Sequence, residues 1–219
     1  MPGLYFKMNS EKEAIIFIDG NNLYHNLKQM KIKPSSLDFQ KFVDLICRYF
    51  NVNLEEVRYY NSMPTIRDGK DLYFAHLKFI DDLRKLPKFT IITRKLQVHS
   101  NEELLKEKRE LIDSMDLCKN CKPIVEENIL DTIKNVKKKE KGVDVKLAVD
   151  LIDSAINKNK INLILVSGDA DFIPALELAK KKQANVLSAS LAKGYSHQLR
   201  ELFEFFAMGK NKIIEACLK

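Results

Sequence analysis

Two aspartates, Asp169 and Asp171, stand one residue apart in the stretch "ILVSGDADFIPAL", just where an apolar run stops. Two other stretches place acids in comparable positions. "FIDGNNLY" carries Asp19, Asn21 and Asn22, and "KGVDVKLAVD" carries Asp144 and Asp150. Capping explains any one of them, because an Asp oxygen accepts a first-turn N–H and stabilises a helix by about 1 kcal/mol. Asp171 suits that role, since Pro174 then falls in the first turn, where its missing N–H costs nothing. Asp144 also sits where a cap belongs. One helix start needs one cap, however, and Asp169 is left with no structural job. Carboxylates gathered in a cleft repel and raise one another's pKa. A divalent cation relieves that repulsion, and an all-oxygen set of Asp and Asn suits Mg2+ or Mn2+ rather than Zn2+. Such an ion activates water and offsets charge developing on a phosphoryl group. The chemistry indicated is metal-dependent phosphodiester hydrolysis.

Apolar runs alternating with helix-period segments must position these acids. "AIIFID", "EVRYYN", "KFTIITRK", "INLILVS" and "ANVLSAS" read as strands. Helices are expected over 37–50, with Ser36 or Asp38 as cap, over the segment ended by Pro87, over 144–157, from about 172 to 182, and near 196–206. In the 144–157 helix the expected buried face is Val145, Leu147, Ala148, Leu151, Ile152, Ala155 and Ile156. Strands separated by helices imply βαβ units and a mainly parallel sheet covered on both faces. Ligands in such folds bind outside the carboxyl ends of the strands, so acids just after a strand are the informative ones.

With that frame in place, "FIDGNNLYHNL", "KGVDVKLAVDLI" and "LVSGDADFIPALELAKKKQANV", in this order, resemble the NYN domain family, the LabA-like branch of the PIN-like nucleases. The resemblance runs from about Ala14 to Met208. It implies a three-layer α/β/α sandwich with a central parallel sheet, an acidic Mg2+/Mn2+ site and cleavage of RNA. Carried over by position, Asp19 and Asn22 match the Asp-x-x-Asn of the first motif, Asp144 the acid of the middle motif, and Asp169 and Asp171 those of the third. The four aspartates are the expected metal ligands, and Asn22 the residue that orients a ligand or water. Asn21 and Ser167 are supporting residues. Asp150 ranks lower, because six residues along a helix place it roughly 120° around the axis from Asp144.

The chain has 219 residues, enough for one substantial core, and a net charge of +7 that favours a polyanionic partner. Single-stranded RNA is the expected substrate. Phosphate contacts are assigned to Lys146, to Arg94 and Lys95 after the third strand, and to the basic run Lys137, Lys138, Lys139 and Lys141. His25, soon after the first motif, could reach substrate, and one of Tyr59 and Tyr60 could stack on a base while strand alternation buries the other. Residues 1–12 read as a tail or leader and 13–219 as one domain, with a polar helical insertion at about 100–142. Cys118 and Cys121 supply half of a zinc site at most, with no second pair following, and a metal-free loop pair is the simpler reading. No apolar run approaches the length of a membrane span, so a cytoplasmic protein is expected. A homodimer stays open. The rival function is a non-catalytic RNA-binding module that keeps the fold. A haloacid-dehalogenase-type phosphatase would need a paired-Asp nucleophile where this chain has "DGNN".

Overall fold

The computed structural model describes residues 12–64, 66, 69–95, 101–134, 142–158 and 160–219. Two units emerge from its contacts. One comprises Met1–Arg94 with Gly142–Lys219, and the other Lys95–Lys141.

The larger unit is built on a six-stranded sheet: β1 (Glu13–Asp19), β2 (Asn53–Met63), β3 (Phe89–Lys95), β4 (Asn162–Val166), β5 (Asn185–Leu191) and β6 (Glu204–Met208), in the order β3-β2-β1-β4-β5-β6. The central pairings are parallel, with Ile18 opposite Val166 and Asp19 opposite Tyr60. A strand buried on both faces must be apolar at every position rather than at alternate ones. β1 meets this: Ala14, Ile16 and Ile18 enter one core while Ile15 and Phe17 enter the other.

The first core is completed by α1 (Gly20–Gln29), α2 (Phe39–Phe50), α3 (Lys70–Arg84) and α9 (Lys210–Cys217), through Leu23, Phe42, Ile46, Ile80 and Ile213. The second is completed by α6 (Val143–Asn157), α7 (Ile173–Lys181) and α8 (His197–Leu202), through Leu147, Leu151, Leu176 and Leu199. Helices on both faces of an all-parallel sheet make the expected three-layer α/β/α sandwich. Asp38, rather than Ser36, caps α2 by accepting the Lys41 N–H at 3.1 Å.

Several expectations give way. The segment expected as one helix near 196–206 is the short α8 followed by β6, which pairs parallel with β5. In "LFEFFAM" the apolar spacing satisfies a helical and an alternating period equally over so few residues, and the free edge of β5 decides. On α6 the buried stripe is Val143, Leu147, Leu151, Ser154 and Ala155, whereas Val145 and Ile156 are exposed. The helix packs along a seam narrower than its apolar surface.

The smaller unit is a helical hairpin, α4 (Asn101–Ser114) and α5 (Cys121–Lys134). Lys122 of α5 pairs with Asp113 of α4 at 2.6 Å, and Ile112 is buried. Among the described residues no helix is long and apolar enough to cross a membrane.

Candidate functional site

β1 ends at Asp19 and β4 ends one residue before Ser167, and these two strands are neighbours in the sheet. Their carboxyl ends therefore bring the first and third motifs together. Asp19 is 5% exposed and N-caps α1: one carboxylate oxygen accepts the Asn22 N–H at 3.0 Å. The other accepts the Ser167 hydroxyl at 3.0 Å, and the same hydroxyl oxygen accepts the Asp169 N–H at 3.2 Å. Ser167 thus joins the two motifs through a single side chain that is 1% exposed.

Asn22 supplies a second bracket. Its carbonyl oxygen accepts the Gly168 N–H at 3.0 Å and the Asn26 amide at 2.8 Å. Both lone pairs are used. Asn22 holds the third motif against α1 through this oxygen. Asn21, beside it, donates to the Ser62 hydroxyl at 3.4 Å.

Two glycines make these approaches geometrically feasible. A Cβ on Gly168 would lie 2.1 Å from the Gly194 carbonyl oxygen, and the Gly168 carbonyl accepts the Ser196 N–H at 2.8 Å. A Cβ on Gly20 would lie 2.5 Å from the Tyr59 ring. The loop around Gly194 carried no sequence signal for such a role. Ser167, expected as a supporting residue, is a hydroxyl between a buried strand and an acidic pair.

The acids divide differently from expectation. Asp169, expected to have no structural job, is the cap of a 3-10 turn (Ala170–Phe172), accepting the Asp171 N–H at 3.0 Å. Asp171, the expected cap, is exposed, and α7 begins without a side-chain cap bond. Asp144 is not a cap either: Gly142 occupies that position with φ 87°, and Asp144 lies exposed in the first turn of α6, where negative charge suits the helix dipole.

Asp150 belongs to another network. It accepts the Tyr60 hydroxyl at 2.9 Å and pairs with Lys146 of its own helix. Burial first, then the Asp150 hydrogen bond, pushes the Tyr60 phenol well above its ordinary pKa. Tyr59 is likewise raised by burial, with the Asp19 charge adding to it. Both tyrosines are buried, at 3% and 0% exposure, so neither offers a ring for base stacking. His25 is exposed on α1, edge-on to Tyr24. Arg94 is exposed near the end of β3. Lys95 closes β3, and its side chain, like Lys137, Lys138, Lys139 and Lys141, lies outside what the structure describes.

For Mg2+ or Mn2+ the oxygen donors are of the right chemistry. Among the described residues no group of three or more His, Cys, Asp or Glu side chains could hold a metal ion. Asp19 and Asp169 direct carboxylate oxygens at protein donors instead.

The sheet and the linked strand ends define a three-layer α/β/α protein with acidic residues at the carboxyl edge of a parallel sheet. Residues 118–207 match the NYN domain. The NYN domain implies the PIN-like nuclease superfamily; NYN nucleases act on RNA, and nucleases of this kind generally use divalent metals. The matched span includes the middle and third motifs and leaves the first outside it. Over 63 residues the chain is 33% identical to an uncharacterized protein of Methanocaldococcus jannaschii, a match covering 29% of this chain and 26% of that protein. A crystal structure of a protein of unknown function from Vibrio parahaemolyticus shares the fold, with a TM-score of 0.56 and 16% identity over 96% of this chain and 98% of that one.

Proposed function

We propose that the chain is a LabA-like ribonuclease that hydrolyses phosphodiester bonds of single-stranded RNA. Asp19, Asp144, Asp169 and Asp171 are its acidic residues, and Mg2+ or Mn2+ is the ion they would take. The observation that carries this reading is the Asp19–Ser167–Asp169 chain of hydrogen bonds, which links two of the three motifs at adjacent strand ends. A buried carboxylate is costly to a scaffold with no use for it. Lys146, Arg94, Lys95, Lys137, Lys138, Lys139 and Lys141 are the candidates for neutralising the RNA backbone.

The test is cleavage of single- and double-stranded RNA and DNA, with Mn2+ and with EDTA. Asp169→Asn keeps an oxygen that can accept the Asp171 N–H, and Asn caps as well as Asp, so folding is retained. The expected result is Mn2+-dependent cleavage of single-stranded RNA that Asp169→Asn abolishes at unchanged Tm. A variant that cuts as fast as wild type would overturn the site.

A second reading, a non-catalytic RNA-binding module, is favoured by the carboxylates' engagement with protein donors and by the absence of a cation-ready group among the described residues. Thermal melts separate the two. A cation bound only by the native state at a hundred times its Kd stabilises by about 2.7 kcal/mol. No shift at millimolar Mn2+ would favour the binding module.

A further inference from the structure

Cys118 and Cys121 sit at the turn between α4 and α5, and both are exposed. The Cys118 carbonyl accepts the N–H groups of Cys121 and Lys122, each at 3.0 Å, so the pair brackets the turn that starts α5. An i→i+3 turn of this kind keeps its end Cα atoms within about 7 Å, and a disulfide needs about 4.4–6.8 Å. The Cys121 N–H also donates to the Cys118 sulfur at 3.3 Å. Among the described residues no third His, Cys, Asp or Glu completes a metal-binding group with the pair. Among the described residues the pair stands as a dithiol.

We infer that Cys118 and Cys121 form a redox-active dithiol, with Cys118 as the attacking sulfur and Cys121 as the resolving one, taking a low-molecular-weight disulfide as oxidant. The order follows from the geometry. Hydrogen bonds from the Cys121 thiol, then from the Cys121 and Asn120 N–H groups, lower the Cys118 pKa, whereas donating to Cys118 raises that of Cys121. The N-terminal end of the 14-residue α5 favours negative charge at the same place.

The Cys118 thiolate attacks one sulfur of the oxidant, forming a mixed disulfide and expelling one small thiolate. Cys121, deprotonated, then attacks the Cys118 sulfur, closing the Cys118–Cys121 bond and expelling the second. The two protein thiols lose two electrons and two protons; the oxidant gains both and leaves as two thiols. Neither of the other cysteines competes. Burial pushes the Cys47 thiol up to about 11 and also raises that of Cys217, which is fully buried.

The test treats the full-length protein with oxidised glutathione and maps its thiols by peptide mass spectrometry. Wild type should lose both thiols to an internal Cys118–Cys121 disulfide that dithiothreitol reverses. Cys121→Ser should stop at a glutathione adduct on Cys118, whereas Cys118→Ser should react more slowly. In parallel, alkylation by iodoacetamide at pH 7 should be faster at Cys118 than at Cys121. The expected ratio is roughly threefold for each unit separating their pKa values, since greater thiolate fraction is partly offset by lower nucleophilicity. Equal alkylation of the two thiols would overturn the assigned order. Glutathione adducts in wild type without an internal disulfide would overturn the dithiol. Both variants change exposed side chains only, and their melts check that folding is unaffected.

Discussion

Replacing Asn22 with alanine removes a side chain whose oxygen accepts two hydrogen bonds, one from the Gly168 N–H and one from Asn26. The Asp19 cap of α1 survives, because its donor is the Asn22 backbone N–H. Only the clamp between α1 and the third motif is lost. Gly168 is buried, and stranding its N–H costs about 1–3 kcal/mol, with about 1 kcal/mol more for the lost Asn26 bond. Alanine is the better helix former and returns up to ~0.7 kcal/mol. The net expectation is a loss of about 1–3 kcal/mol, read as a lower urea midpoint at unchanged m-value. Asn22→Asp keeps an acceptor for both donors and should stay within about 1 kcal/mol of wild type, with helix-dipole attraction set against repulsion from Asp19. If Asn22→Ala unfolds within about 0.5 kcal/mol of wild type, a typical neutral surface change, the clamp is wrong.

Two further outcomes follow from the same fold. Gly168→Ala drives a Cβ to 2.1 Å from the Gly194 carbonyl, a backbone atom that cannot swing aside, and should destabilise by about 3 kcal/mol in the same urea assay. The second concerns His76, whose ring burial lowers its pKa below the ordinary 6.5. Asn61 uses its oxygen for the Ser62 N–H, so its amide nitrogen donates to His76 Nε2 at 3.0 Å and favours the neutral ring. The unfolded chain therefore binds this proton first, and the His76 contribution to stability, full above pH 6.5, falls as pH drops through the window below it. The slope is at most ~1.4 kcal/mol per pH unit. Urea titrations of wild type and His76→Gln across pH 5–7 should diverge in that direction, and parallel curves would refute it.

The parallel sheet was legible because burial on both faces leaves strands no polar alternation, and β1 and β4 show none. β6 was not legible. It is short, and its half-exposed pattern is set by pairing with β5 rather than by its own period. α9 lacked a signal for a similar reason, since its mean hydropathy is low and only Ile213 and Cys217 are buried on it. Val145 and Ile156 misled in the opposite sense: an apolar residue on a helix need not be buried, and the seam is set by what the sheet beneath presents.

The acidic positions were readable from sequence, but their division of labour was not, because a cap is defined by φ, ψ and a hydrogen bond rather than by residue type. Asp169 and Asp171 are chemically identical, yet the chain turns so that the first accepts the N–H of the second. The residue with the more evident structural duty is therefore Asp169, and the exposed carboxylate of the doublet belongs to Asp171. That reverses where a purely structural effect should appear. An alanine at 169 mixes lost capping with any lost chemistry, whereas Asp169→Asn separates them. The buried end of the system, Asp19 with Ser167, lies between the two most central strands, so stability and site geometry are coupled there. A change at Ser167 therefore disturbs the fold and both motifs at once, and activity lost with it says nothing by itself about chemistry. Only substitutions that preserve the acceptor at 19, 22 and 169 can test the acids as acids.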